Sequence, residues 1–132
     1  MAPRWTHITI TVSDLEKSVA FYRDLCGLTL VRDRRKEGGA TVWMGPPPAK
    51  GKDPAFVLVM MQGAVKDRID HLGFQVESRA EVDARALEGR RRGNLVMGPK
   101  DSGGSVGYWV ILRDPDGHGV EFTHGQPLQG LA

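Results

Sequence analysis

Three residues combine metal-binding or acid–base chemistry with a telling position: His7, His71 and Glu121. Glu121 lies between Val120 and Phe122 in the stretch LRDPDGHGVEF, Leu112 to Phe122, whose apolar members favour burial. Successive side chains of a strand point to opposite faces, so Glu121 faces away from both neighbours. A carboxylate there needs a polar cavity, a partner charge or a metal, because burying an unpaired charge is costly. His7 and His71 open two similar stretches, HITITV and HLGFQV, with apolar residues at one parity and polar residues at the other. If the apolar faces cover helices, the polar faces line a shared concavity together with Thr9, Thr11, Gln75 and Thr123. Two imidazoles and a carboxylate with coordination positions left open suit divalent Fe, Mn, Ni or catalytic Zn. Such N and O donors accept most of the first transition row, so the metal's identity is not readable.

The elements that must position these residues follow from periodicity. Trp5 to Val12 alternates with period two and reads as a strand, with Ile8, Ile10 and Val12 on its apolar face. Ser13 to Glu16 matches the S-x-x-E capping box, and Leu15, Val19, Tyr22 and Cys26 follow at helical spacing up to a stop at Gly27. Leu28 to Arg34 and Ala40 to Met44 read as strands joined by a turn at Glu37-Gly38-Gly39. A loop with four prolines spans Gly45 to Pro54, and Ala55 to Gln62 reads as an apolar strand buried on both faces. The pattern then restarts. His71 to Val76 is a strand, Ser78 to Glu81 a second capping box, and a helix runs to about Arg92 with Val82, Ala86 and Leu87 inward. The basic end, Arg90 to Arg92, suits the helix dipole. Leu95 to Gly98, Val106 to Arg113 and Gly119 to His124 are the remaining strands. A turn centred on Pro115 joins the last two, with Gly117 and Gly119 supplying torsions that a β-carbon resists. The order β-α-β-β-β thus occurs twice, at a period of about half the chain, which is an α+β fold.

Composition excludes several classes. A formal charge of +2, with basic residues mostly scattered, is too weak a footprint for nucleic acid. A single cysteine, Cys26, excludes an intrachain disulfide and a Cys-based zinc site, and reads as small buried filler. Neither a signal peptide nor a membrane span is expected, which implies a cytoplasmic setting. His118 reads as a solvated turn residue and His124 as packed or at a rim. Trp43 and Trp109 are candidates for an apolar pocket. Arg32, Arg34 and Lys36 form a basic hairpin edge whose default is solvation.

HITITVSDLEKSVAFYRDLCGLTLV, DHLGFQV and RDPDGHGVEF together resemble the vicinal oxygen chelate superfamily, which includes glyoxalase I, extradiol dioxygenases, fosfomycin-resistance transferases and bleomycin-binding proteins. The resemblance spans nearly the whole chain. It implies a single domain over residues 1–132, built from two βαβββ modules of about 1–63 and 70–126 whose curved sheets form a cup. It places metal ligands at His7, His71 and Glu121, and it implies a homodimer acting on a small-molecule substrate. Pairing of modules between two subunits would draw His7 from one and His71 with Glu121 from the other. The implied function is a metal-dependent enzyme on a small oxygen-bearing metabolite, most like a glyoxalase-type lyase or isomerase, with Glu121 as the catalytic base. The alternatives are an extradiol-type ring-cleaving dioxygenase and a non-enzymatic bleomycin-type binder. Two departures bear on the choice. The glyoxalase pattern has a second acid on the last strand of the first module, where Ala55 to Met61 has none and Gln62 is the only polar residue nearby. The dioxygenase and fosfomycin-resistance patterns have a tyrosine where this chain has Ile111, and the dioxygenase pattern has an upstream histidine that is absent.

Overall fold

The computed structural model describes residues 2–127. Its elements are β1 (His7–Val12), α1 (Leu15–Cys26), β2 (Thr29–Asp33), β3 (Thr41–Gly45), β4 (Val57–Gln62), β5 (Leu72–Gln75), α2 (Arg79–Arg92), β6 (Leu95–Asp101), β7 (Tyr108–Arg113) and β8 (Gly119–His124). Two four-stranded mixed sheets result, in the orders β1-β4-β3-β2 and β5-β8-β7-β6. In each, the first strand of the module pairs in parallel with the last, and the other pairings are antiparallel. The fold is therefore two βαβββ modules of identical strand order. The chain divides into two compact units between Asp67 and Arg68.

Within each unit, alternation decides which sheet face its helix covers. In the first, Ile10, Val12, Val42, Met44, Leu58 and Met60 are buried with Leu15, Phe21 and Tyr22 of α1. In the second, Val110, Leu112, Val120 and Phe122 are buried with Val82 and Ala86 of α2. The opposite parities carry His7, Thr9 and Thr11 on β1 and Glu121 on β8. β4 departs from the expectation of burial on both faces. Leu58 and Met60 are buried, Val57 and Val59 half-buried, and Met61 is 49% exposed, because α1 covers only one side of the sheet.

The helix starts differ in detail from the two capping boxes. Ser78 caps α2 as expected, accepting from Glu81 N–H at 3.2 Å. Asp14, not Ser13, caps α1, accepting from Lys17 N–H at 3.2 Å. The Asp14 carboxylate satisfies the same kind of orphan donor one residue later. On α2 the inward positions are Val82, Ala86 and Gly89, while Leu87 is 66% exposed. Cys26 is half-buried rather than core, since it ends α1 beside its Gly27 stop. Arg34–Glu37 form a single 3-10 turn after β2.

Candidate metal centre

His71 immediately precedes β5, and Glu121 lies on the neighbouring β8. The parallel register places Leu72 against Val120 and Gly73 against Glu121. This brings His71 Nε2 to 3.0 Å from Glu121 Oε2. His71 Nδ1 faces Asp70 Oδ1 at 2.5 Å, where only the imidazole can donate to an ionised carboxylate. With Nδ1 committed, the ring directs Nε2 at a second carboxylate. A neutral imidazole would there set a lone pair against another lone pair, an arrangement that a proton or a cation between them resolves. A carboxylate holding the far nitrogen of a histidine is also the usual support for a metal-binding imidazole. The pair thus supplies two donors, one imidazole nitrogen and one carboxylate, of the types a divalent ion takes.

Two backbone features hold this pair in place. A β-carbon at Gly119 would lie 2.0 Å from the Asp70 carbonyl oxygen and 2.9 Å from His71 Cβ, so glycine permits the close approach of 70–71 to the start of β8. Gly119 has no positive φ, and its role is space rather than the unusual torsion expected for it; Gly117, at φ 89°, does have one. Asp114, 4% exposed, closes the preceding turn by accepting from Asp116 N–H and His118 N–H, both at 2.9 Å.

His118 is not the solvated turn residue its sequence context implies. It is 1% exposed, and its Nδ1 accepts from Ile69 N–H at 3.2 Å. The turn folds beneath 69–71, so the imidazole fixes the segment that carries His71. Arg68 Nε adds a bond to the Asp116 carbonyl at 2.7 Å. His124 Nδ1 accompanies Val76 O at 3.1 Å, a rim position as expected.

His7 lies on β1 in the first unit, exposed, with Nδ1 at 2.9 Å from the Thr6 hydroxyl. It borders a cavity of about 270 Å³ with Thr6, Trp43, Val57 and Val59. Among the described residues, no three His, Cys, Asp or Glu side chains gather closely enough to hold a metal. Within the second unit the structure joins two of the three expected donors, His71 and Glu121, and His7 belongs to the first unit.

Other expected lining residues divide similarly. Trp43 borders the His7 cavity, whereas Trp109 donates from Nε1 to Ser102 Oγ at 2.9 Å. Thr123 is 2% exposed and donates to the Val106 carbonyl at 3.3 Å, so its hydroxyl is committed. Gln62 accepts from Leu15 N–H at 3.1 Å, which ties its carbonyl oxygen to the start of α1. Ile111 stands directly across from Glu121 on β7, so the Glu121 carboxylate has an aliphatic neighbour where a tyrosine would bring a hydroxyl. Arg32 and Arg34 both bond Glu37, at 2.5 and 3.1 Å, and hold its carboxyl below the usual range.

The sequence signals for Glu121 and His71 were strand parity and the repeat. Asp70 escaped that reading, although it directly precedes a candidate ligand histidine, and Gly119 stands out in sequence for its torsion rather than for the room it leaves.

Comparisons with known proteins agree with this architecture. The chain is 40% identical over 133 residues to an uncharacterized protein of Pseudomonas aeruginosa, covering 97% of this chain and 93% of that one. It is 34% identical over 129 residues to the glutathione transferase FosA of Serratia marcescens, covering 96% and 84%. The fosfomycin resistance protein FosX of Listeria monocytogenes, solved with Mn(II) and sulfate, superposes with a TM-score of 0.71 at 20% identity, covering 96% of this chain and 94% of that one. The profile of the Glyoxalase/Bleomycin resistance protein/Dioxygenase superfamily matches residues 4–122, and the chain belongs to that superfamily.

Proposed function

We propose that the protein is a divalent-metal-dependent enzyme acting on a small metabolite with two adjacent oxygens, most like a glyoxalase-type lyase or isomerase. The observation that carries this reading is the Asp70–His71–Glu121 arrangement, in which one carboxylate orients the imidazole and a second meets its free nitrogen. His7 would complete the set from a second copy of the chain in a cytoplasmic homodimer. The P. aeruginosa and S. marcescens relatives support the family, and the L. monocytogenes protein supports a divalent ion in such a fold.

The ion, when bound, supplies Lewis-acid polarisation of the substrate's oxygens, which acidifies the carbon beside them. His71, held by Asp70, presents Nε2 in a fixed direction. Glu121, its side chain only 12% exposed, is the group within reach to take the proton from that carbon and return it. Ile111 stands across from Glu121 in the strand register and offers it an aliphatic side chain. It also argues against the dioxygenase and fosfomycin-resistance readings, whose tyrosine would stand there. Because Ala55 to Met61 contains no carboxylate, Glu121 serves without the second acid of the glyoxalase pattern. A bleomycin-type binder would need no such pair.

Metal analysis of purified protein beside the His7→Ala/His71→Ala/Glu121→Ala variant tests the site. Equal metal content in the two would end the proposal. Turnover is then assayed with Mn-, Ni- and Fe-loaded protein on methylglyoxal–thiol adducts and on catechols. Turnover of catechols alone would sink the lyase reading, and tight binding without turnover, unchanged in Glu121→Gln, would leave only a binder.

A further inference from the structure

The cavity beside His7 does not stand alone. A larger one, of about 710 Å³, shares Thr6, Trp43 and Val57 with it and extends outward to Arg4, Trp5 and Lys52. Its size is that of a site for an ordinary small-molecule ligand. Trp5, 82% exposed with its ring tilted against Phe56 at 6.3 Å, sets a broad apolar face on the cavity wall. The side chains of Arg4 and Lys52 have no ion pair or hydrogen bond among the described residues, unlike Arg32, Arg34 and Arg35, which are neutralised by Glu37 and Asp33. Asp53 is the one carboxylate of the lining, so cations outnumber it two to one.

We infer that this outer cavity binds the tail of an elongated substrate: an apolar or aromatic spacer over Trp5 and Trp43, ending in a carboxylate held by Arg4 and Lys52. The inference rests on the proposed function only in assigning the other end of the ligand to the His7 side. An indole face accepts an apolar or planar group and shields it from water, and a shielded carboxylate gains from two unpaired cations. A ligand confined to the 270 Å³ inner space would leave both cations and the exposed indole without use. The first unit thus contributes substrate discrimination as well as His7.

The test uses phenylbutyrate and its uncharged analogue phenylbutyramide as probes of the full-length protein, with and without Mn(II). Indole N–H signals of Trp5 and Trp43 report binding, and Trp109, in the other unit, is the internal control. Phenylbutyrate is expected to shift Trp5 and Trp43 but not Trp109, and to bind about fivefold more tightly than the amide, the scale of partly exposed charge pairs. Arg4→Gln/Lys52→Gln should bring the acid to the level of the amide and leave the amide unchanged. Equal affinities, an advantage that survives the double variant, or indole shifts that follow protein concentration instead of ligand would each overturn the inference; the last would assign the face to a second copy of the chain. Protein that keeps the carboxylate preference but holds no metal removes the metal reading alone, and metal-loaded protein without the preference removes this one alone.

Discussion

Asp70 accepts from His71 Nδ1 and so sets the direction of Nε2. Its side chain is 95% exposed and makes little packing contact, so Asp70→Asn should leave the melting temperature unchanged. The amide can still accept from Nδ1–H but brings no charge, and metal affinity should fall about tenfold, as for other supports of ligand histidines. Competition with a chelator measures this, and an unaltered affinity would show the Asp70 contact to be incidental. Gly119→Ala acts through space. Its β-carbon would meet a backbone oxygen, which cannot rotate away, so stability should drop by about 2 kcal/mol and metal affinity with it. A variant with the wild-type melting temperature and metal content would refute the close approach. At this scale the sequence was legible where parity alone decides orientation, as at Glu121 between Val120 and Phe122. It was illegible where a role depends on another segment's approach. Nothing in DPDGH says that 69–71 will lie over the turn, and so His118 read as solvated although it is buried.

Helix α2 shows the same division among elements. Its start was legible, because Ser78 and Glu81 satisfy backbone donors locally, and so was its stop at Gly93. Its buried face was legible at Val82 and Ala86 but not at the third inward position. The apolar pattern favoured Leu87, but α2 packs so closely on β7 that glycine occupies the contact, where a β-carbon at Gly89 would lie 2.9 Å from Leu112 Cγ. Helix propensity favours Gly89→Ala by about 1 kcal/mol. Leu112 is fully buried and cannot yield, so overpacking of about 1–3 kcal/mol should win and lower the melting temperature. A rise would show that the layers separate easily. At the helix end, Arg91 and then Arg92 hydrogen-bond Glu88 and lower its carboxyl from the ordinary 4.5 to about 2. The folded state therefore loses this proton more readily than the unfolded chain. Its contribution is complete above the ordinary carboxylate range and disappears as pH falls through about 2. Exposure keeps the effect on stability slight, so the check is an NMR titration. The midpoint should return toward the ordinary value in Arg91→Gln/Arg92→Gln.

Over the whole molecule, the repeat made the architecture legible: two modules with the same strand order and one helix each. The repeat also placed one histidine in each module, but periodicity does not say which modules pair. His71 and Glu121 meet within the second unit because β5 and β8 are hydrogen-bonded neighbours, whereas His7 belongs to β1 of the first. A homodimer that pairs the first unit of one chain with the second of another makes a distinctive prediction. His7→Ala and Glu121→Gln chains should each bind little metal alone. In a mixed dimer, the site combining His7 of the Glu121→Gln chain with His71 and Glu121 of the His7→Ala chain is intact, while the reciprocal site carries both lesions. Co-expression with two different tags, followed by tandem purification, should therefore recover one metal per dimer and turnover near half that of the wild type. Closure within each chain gives the opposite result, since every site of the mixed dimer would then contain one lesion and metal would stay at the level of the single variants. Sedimentation at micromolar concentration supplies the remaining constraint: a protein that is only monomeric would exclude exchange between copies.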